Sequence, residues 1–415
     1  EGDPNRVAEI YGVSKEFIED LRNEFDYWYP VDERHSGPDL ISSHLSFFIF
    51  HHAAIFPEKY WPRAITLNEY VIREGMKMSR SLGNVLPLPY IPRKYSADLA
   101  RLYLASATDL DTTLDWREDD VASVASRLVR FWSLANDIIK EGKPQVSVDV
   151  RNASLITQWL VSKVNKAIRD STIDMDNENI RGYTLKAFFD LLSSVEKYVE
   201  MVNVINVNKD EVRWTLWYVL ERWVKLLQPV MPHIAEELWH RMGHDTFVSL
   251  EPWPEYDEGL INDELDVALD LIERAVEDVQ EILRVTKIAP KAIYLYVGPS
   301  NEYYQIANEA IRLISEGKTM GETIRAIIGK PEYKRMADRV ANIVSKVVDG
   351  TIPRRIVSRD MELRVFRELS NYIKSRIGAE VVVQDAMNPT YDPGNRARNA
   401  LPGRPAIYVE AVKES

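Results

Sequence analysis

Between Ser96 and Gly243 the chain repeats one pattern five times: apolar residues recur at helical spacing, and only short polar stretches interrupt them. The segments are "SADLARLYLASA", "DDVASVASRLVRFWSLANDIIKE", "SLITQWLVSKVNKAIRDST", "TLKAFFDLLSSVEKYVEMVNVI" and "DEVRWTLWYVLERWVKLLQPVMPHIAEELWHRMG". A helix with one apolar stripe must bury it against another element, and five in succession with short connections have one economical solution, a helical bundle. This stretch therefore excludes a sheet as the organising core of the middle of the chain.

The flanks differ. Residues 14–26, "SKEFIEDLRNEFD", read as a helix capped by Ser14, with Phe17, Ile18, Leu21 and Phe25 on one face. After "YWYP", the turn "HSGPDLI" opens an apolar segment, "HLSFFIFHHAAIF", expected to be a buried helix from His44 to Phe56. "RAITLNEYVI" alternates like a strand pair, and "LDWREDD", Leu114 to Asp120, is expected to start a helix with acidic residues near its N-terminus. Beyond the bundle, "EPWPEYDEG" is a linker and a helix runs from Asp263 to about Leu283. The tail then alternates: strand "KAIYLYVG", helices in "EYYQIANEAIRLISEG", "EYKRMADRVANIVSKVVDG" and "ELRVFRELSNYIKSRIG", and strands "AEVVVQDA" and "RPAIYVEAV". The fold class is multidomain and mostly α, with α/β parts at both ends, and 415 residues suit two to four domains.

Composition narrows the chemistry. With no cysteine there is no disulfide, no Cys-based zinc site and no Cys nucleophile, which fits a reducing cytoplasm. No apolar run is long enough for a membrane span, and the polar, acidic start "EGDPNRVAEI" is unlike a secretory signal. The net charge of −12 argues against a generic nucleic-acid-coating protein. Yet residues 331–415 hold 15 Lys and Arg against 11 Asp and Glu, a local +4 that leaves −16 for the rest. A polyanion would dock at the C-terminal end.

Gly75 to Pro87 read "GMKMSRSLGNVLP". Taken alone, a short basic loop is ordinary solvated surface. Its composition permits more: Lys77 and Arg80, three apart, with the hydroxyls of Ser79 and Ser81 and a Gly-flanked backbone, can close on phosphate oxygens. This stretch resembles the KMSKS signature of class I aminoacyl-tRNA synthetases. "PVMPHIAEELW", Pro229 to Trp239, resembles the segment marking the helical anticodon-binding domain of the Leu/Ile/Val/Met subgroup. "EFDYWYPVDERHSGPDLISSHLSFFIFHHAAIF" and the closing "NPTYDPGNRARNALPGRPAIYVE" are similar to the leucyl-tRNA synthetase of the archaeal and eukaryotic type. The motifs stand in the family's order and span nearly the whole chain.

The resemblance implies a division of labour. Residues 1–95 would be the C-terminal part of a Rossmann-like catalytic domain, 96–255 a helical connector and anticodon-binding bundle, 256–290 a linking helix, and 291–415 an α/β tRNA-binding domain. The full enzyme condenses leucine with ATP, accompanied by Mg2+, to leucyl-adenylate and passes leucine to its tRNA. Lys77 and Arg80 would stabilise charge on the departing pyrophosphate, with Met78, Ser79 and Ser81 in the same ATP-binding loop. Gly37 and Asp39 would approach the ribose of ATP, and His44 would line that pocket. Arg354, Arg355, Arg359, Arg396 and Arg398 would face tRNA. His51 and His52 read as structural, no protein-bound metal is expected, and Trp214, Trp217, Trp223 and Trp239 read as core.

Two departures stand out. Arg80 replaces the family's usual Lys. None of the seven histidines (His35, His44, His51, His52, His233, His240 and His244) stands in a His-x-Gly-His setting. The HIGH motif and the editing domain would precede residue 1 in the full-length family, so the chain is expected to begin inside the catalytic domain. Three readings stay open: a C-terminal fragment, one subunit of a split enzyme partnered by an N-terminal half, or a truncated paralogue that binds tRNA without charging it.

Overall fold

The computed structural model describes residues 2–412. The chain divides into two compact units, one built from residues 1–133, 171–186 and 227–235, the other from 134–170, 187–226 and 236–415.

The first unit opens on a helix, Pro4–Tyr11, whose N-terminus is capped by the Asp3 side chain and which ends at Gly12 with φ of 68°. Those end signals bracket a short apolar stripe, Val7, Ile10 and Tyr11, at helical spacing. The helix Lys15–Trp28 follows as expected, with Ser14 Oγ accepting from the Phe17 N–H at 3.1 Å. Strands Glu33–Ser36 and Ala64–Leu67 pair in parallel, from Glu33 opposite Ala64 to Ser36 opposite Leu67. The crossover between them contains π-helical Ile41–Leu45 and the helix Ser46–Ile55. A second sheet has Val71–Arg73 at its centre, antiparallel to Met76–Lys77 and parallel to Leu114–Trp116.

Three expectations are corrected here. The segment His44 to Phe56, expected to be a buried helix, is largely exposed, with Phe47 at 62%, Phe50 at 70% and Ile55 at 67%, and only Leu45 and His52 are buried. The halves of "RAITLNEYVI" are both strands, but they do not pair with each other; each finds a different partner. Alternation is local, whereas a parallel partner comes from across a crossover. "LDWREDD" begins as a strand, and the helix starts only at Glu118. Its Glu118, Asp119 and Asp120 do occupy the first helical turn.

A buried carboxylate ties distant parts of this unit together. Asp98, 2% exposed, lies in the first turn of the helix Ala97–Ala107. It accepts from the backbone N–H of His233 at 3.4 Å and of Ile234 at 2.6 Å, at the start of the helix Pro232–Arg241. One negative charge thus serves two helix N-termini. Asp98→Ala is expected to cost about 2 kcal/mol, read as an earlier first transition in urea unfolding, because it removes the buried acceptor of two part-buried helix N–H donors.

In the second unit the bundle core is formed by side chains such as Leu160, Val164, Leu192, Val195, Leu220 and Trp223, all essentially inaccessible. The helical run from Ile180 to Val202 is interrupted by π-helical Leu185–Asp190. Trp223 Nε1 donates to the carbonyl of Ala187, inside that π segment, at 2.7 Å. Trp217, Trp223 and Trp239 are core, as read; Trp214 is only half-buried and stacks on Tyr218 with ring centroids 5.0 Å apart. The last apolar-periodic segment is two helices, Lys209–Leu227 and Pro232–Arg241, because Pro229 and Pro232 lack the N–H a continuous helix needs.

The C-terminal stretch is the expected α/β module. Its central strand, Pro290–Val297, is parallel to Glu380–Asp385 and antiparallel to Ala406–Ala411. Helices Asn301–Ser315, Met320–Ile328 and Ala337–Val348 enclose a core of Ile306, Ala310, Ile327, Val340 and Val344. The unanticipated Met320–Ile328 starts with a capping box in which Thr319 and Glu322 exchange hydrogen bonds. Among the described residues, no helix is long and apolar enough to cross a membrane.

Candidate functional site

The basic loop is built on a hydrogen-bonded stem. Its stem is the hairpin in which Arg73 pairs with Met76 and Ile72 with Lys77. Glu74 and Gly75 turn the hairpin with φ of 49° and 74°. The Asp115 carboxylate accepts from the Gly75 N–H at 2.9 Å, and Glu74 N–H donates to the carbonyl of Trp116 at 3.2 Å. The Gly75 N–H, with Arg117 at 2.8 Å as a lesser contribution, holds the Asp115 carboxyl below its ordinary range. Trp116, 1% exposed, packs edge-on against Tyr103 at 5.0 Å and anchors the strand below.

Asn84 is the clip. Its Oδ1 accepts from the Ser79 N–H at 2.8 Å and its Nδ2 donates to the carbonyl of Lys77 at 3.1 Å. These two bonds bracket Met78 and fix the loop's path at the backbone, leaving the Lys77 and Arg80 side chains without internal partners among the described residues. Ser79 Oγ accepts from the Leu82 N–H at 3.2 Å and lies 3.1 Å from Ser81 Oγ. Gly83, at φ of 64°, closes the turn with its N–H on the Arg80 carbonyl at 3.2 Å. Lys77 and Arg80 are exposed, and among the described residues neither has an ion-pair or side-chain hydrogen-bond partner. The neighbouring cations differ: Arg73 and Lys94 both reach Glu118 at 3.1 Å. Two cations are therefore left unneutralised on a backbone that is held in place. An anion meeting them displaces water and no internal carboxylate.

The other expected nucleotide residues sit after the strand Glu33–Ser36. Gly37 precedes the short 3-10 turn Pro38–Leu40, and a Cβ there would meet Asp39 Oδ1 at 2.9 Å. A side chain there would displace only the end of the Asp39 side chain, which is exposed. His44 is also exposed, and its Nε2 accepts from Arg34 Nη2 at 3.0 Å. No hydrogen bond or ion pair among the described residues joins this group to the Lys77–Ser81 loop. A cavity of about 630 Å³ in the same unit is lined by Glu33, His35, Asn68 and Arg101 among others, and by none of the expected nucleotide residues. Arg101 is held there by the carbonyls of Pro229 at 2.7 Å and Val230 at 3.0 Å.

His52 is buried with Nδ1 bonded to the carbonyl of Phe48 at 2.7 Å, and His51 makes the same bond to Phe47 at 2.6 Å, so both serve the helix. Of the tail arginines, Arg354, Arg355, Arg396 and Arg398 are exposed. Arg359 differs: its guanidinium bonds Asp385 at 2.6 Å and the carbonyls of Gly298 and Pro299 at 3.1 Å, joining a helix start to two strand ends. It is engaged within the fold, and nothing in its sequence context distinguished it from its neighbours. The Asn84 clip and the Asp115 anchor were not singled out from sequence, although both lie inside the quoted motifs.

Comparison with known proteins gives this arrangement a context. Residues 12–117 match the class I tRNA synthetases (I, L, M and V), and residues 157–295 match the anticodon-binding domain of tRNA ligases. The two matches stand in the order of a class I synthetase of that group. The leucine–tRNA ligase of Staphylothermus marinus is 38% identical over 409 residues, covering 98% of this chain and 41% of that protein. That of Methanosarcina barkeri is 35% identical over 426 residues, covering 100% and 42%. A solved ternary complex of Agrobacterium radiobacter LeuRS with tRNA and LeuAMS is a weak likeness, with a TM-score of 0.48 and 22% identity over 57% of this chain and 30% of that one. The chain corresponds in sequence to the C-terminal portion of archaeal-type leucyl-tRNA synthetases, as the motifs implied. It spans about two fifths of the length of the curated relatives it matches.

Proposed function

We propose that the chain serves the ligation of leucine to its tRNA, as the C-terminal part of a leucine–tRNA ligase working with an N-terminal part. The observation that carries this reading is the alignment of essentially the whole chain with leucine–tRNA ligases. The two unpaired cations on a clipped loop support it.

In this reading residues 1–95 complete the catalytic domain, 96–255 are connector and anticodon-binding bundle, 256–290 link, and 291–415 bind tRNA. ATP is a substrate. Lys77 Nζ and the Arg80 guanidinium donate to the β- and γ-phosphate oxygens as the bond to the α-phosphate breaks, stabilising charge where it develops. The Ser79 and Ser81 hydroxyls and the backbone at Met78 shape the loop around those oxygens. Asp39 accepts from the ribose hydroxyls beside Gly37, and His44 borders the adenosine. The exposed tail arginines Arg354, Arg355, Arg396 and Arg398 meet RNA phosphates. Among the described residues no group of three or more His, Asp or Glu is placed to hold a metal ion. In this reading Mg2+ accompanies ATP on its phosphates. We assign the reaction to the cytoplasm.

The test is charging. This chain mixed with the N-terminal part of an archaeal leucine–tRNA ligase is expected to attach leucine to leucine tRNA. Binding of leucine tRNA without charging by the mixture would favour a tRNA-binding paralogue instead.

A further inference from the structure

A polar cavity of about 240 Å³ opens in the C-terminal module. Its polar lining is Tyr303, Arg339, Asn342, Lys346, Arg398 and Asn399. Three segments supply these residues: the helix Asn301–Ser315, the helix Ala337–Val348, and the 3-10 turn Ala397–Asn399. Three cations line it and no carboxylate does, in a chain whose net charge is −12.

The geometry is ordered. Arg339, Asn342 and Lys346 follow one another at i, i+3 and i+7, so they share a helix face. Ile343, on the same face and 1% exposed, fastens it to the core. The Arg339 guanidinium stands 5.7 Å from the centroid of the Tyr303 ring. Arg398 is exposed and without an ion-pair or side-chain hydrogen-bond partner among the described residues. Lys346 has a side-chain partner, Asp349 at 3.3 Å, but that pair is exposed and competes weakly with a phosphate.

These groups favour one chemistry. Separated cations suit phosphates, an aromatic face beside a guanidinium suits a planar base, and two side-chain amides can read a base edge. We propose that this cavity seats one unpaired nucleotide of an RNA. Its base stacks on Tyr303, its flanking phosphates meet Arg339, Lys346 and Arg398, and Asn342 and Asn399 offer their amides to the base. The proposal rests on the tRNA-binding reading above and adds a defined seat to it.

The experiment is a titration of the full chain with a fluorescently labelled leucine-tRNA transcript at several fixed salt concentrations, with adenosine 5′-monophosphate as a competitor. Arg398→Ala and Arg339→Ala are each expected to weaken binding about tenfold and to reduce the salt slope by about one. Tyr303→Leu is expected to weaken it about tenfold with the slope unchanged. Arg398 and Arg339 are exposed, so their variants keep the fold even if Tyr303→Leu does not. Tight binding that none of the three variants weakens would overturn the seat and leave the ligase reading standing. Failure of the wild-type chain to bind the transcript would also overturn it. Charging that fails while binding depends on these residues would sink the ligase reading and keep the seat. Displacement of the transcript by millimolar adenosine 5′-monophosphate would replace RNA with a free nucleotide as the occupant.

Discussion

In an enzyme reconstituted from this chain and an N-terminal part, Lys77→Ala is expected to slow leucine-dependent ATP–pyrophosphate exchange about 100-fold. Removing one preorganised donor from a site of developing charge typically has that size of effect. Lys77 meets the conditions for it. Its side chain is exposed and unpaired among the described residues, while its backbone is held by the hairpin to Ile72 and by Asn84 Nδ2 at 3.1 Å. Arg80→Ala is expected to cost about tenfold, because Arg80 lies nearer the tip, beyond the Asn84 clip, and is less preorganised. In both variants the loss is expected in the rate constant more than in the KM for ATP, since in the proposed reading the cations meet the additional charge that builds on the departing pyrophosphate. Exchange kinetics unchanged by Lys77→Ala would remove the loop from the reaction.

The second large effect concerns pH and the C-terminal module. Glu362 is fully buried in the helix Arg359–Glu368. Burial pushes its carboxyl up to about 7, against the opposing pull of the Gly403 N–H at 2.9 Å and the Tyr304 hydroxyl at 2.8 Å. Both bonds fall on Oε2, and Oε1 has no hydrogen-bond partner among the described residues. An unfolded glutamate titrates near 4.3, so the folded state holds this proton more tightly. The resulting stability is fully present below the unfolded value and is lost as pH rises through about 7. The difference is roughly 4 kcal/mol across that window. Urea unfolding of the module, followed by its own tyrosines, is expected to shift to lower urea between pH 5 and pH 8. Glu362→Gln, which keeps an acceptor for Gly403 and Tyr304, is expected to flatten that dependence. A wild-type midpoint that does not move with pH would contradict the account.

What the sequence revealed and what it hid follow from the range of the interactions. The bundle was legible because each apolar stripe is a local property, and Trp223 and Leu220 announce their own burial. The limits of the helices were less so: the break at Pro229 to Pro232 was marked by prolines, but the π segment Leu185–Asp190 has no such mark. Strand identity was local and strand pairing was not, which is why Ala64–Leu67 and Val71–Arg73 separate into different sheets. At the loop, Lys77 and Arg80 were readable as cations, but their freedom depends on Glu118 occupying Arg73 and Lys94 instead. Asp98 reaches helix donors 135 and 136 positions away, and Arg359 finds Asp385 at a distance no spacing announces. The cavity lined by Tyr303, Arg339, Lys346 and Arg398 likewise exists only once three segments meet.

The central claim is that this chain supplies the phosphate-holding half of a leucine-activating site. Leucine-dependent ATP–pyrophosphate exchange, measured with the chain alone and after adding an N-terminal part from an archaeal leucine–tRNA ligase, tests it most directly. Exchange that appears only on mixing, and that Lys77→Ala suppresses, is the predicted result. An absence of exchange in the mixture, with both parts folded and associated, would contradict the claim.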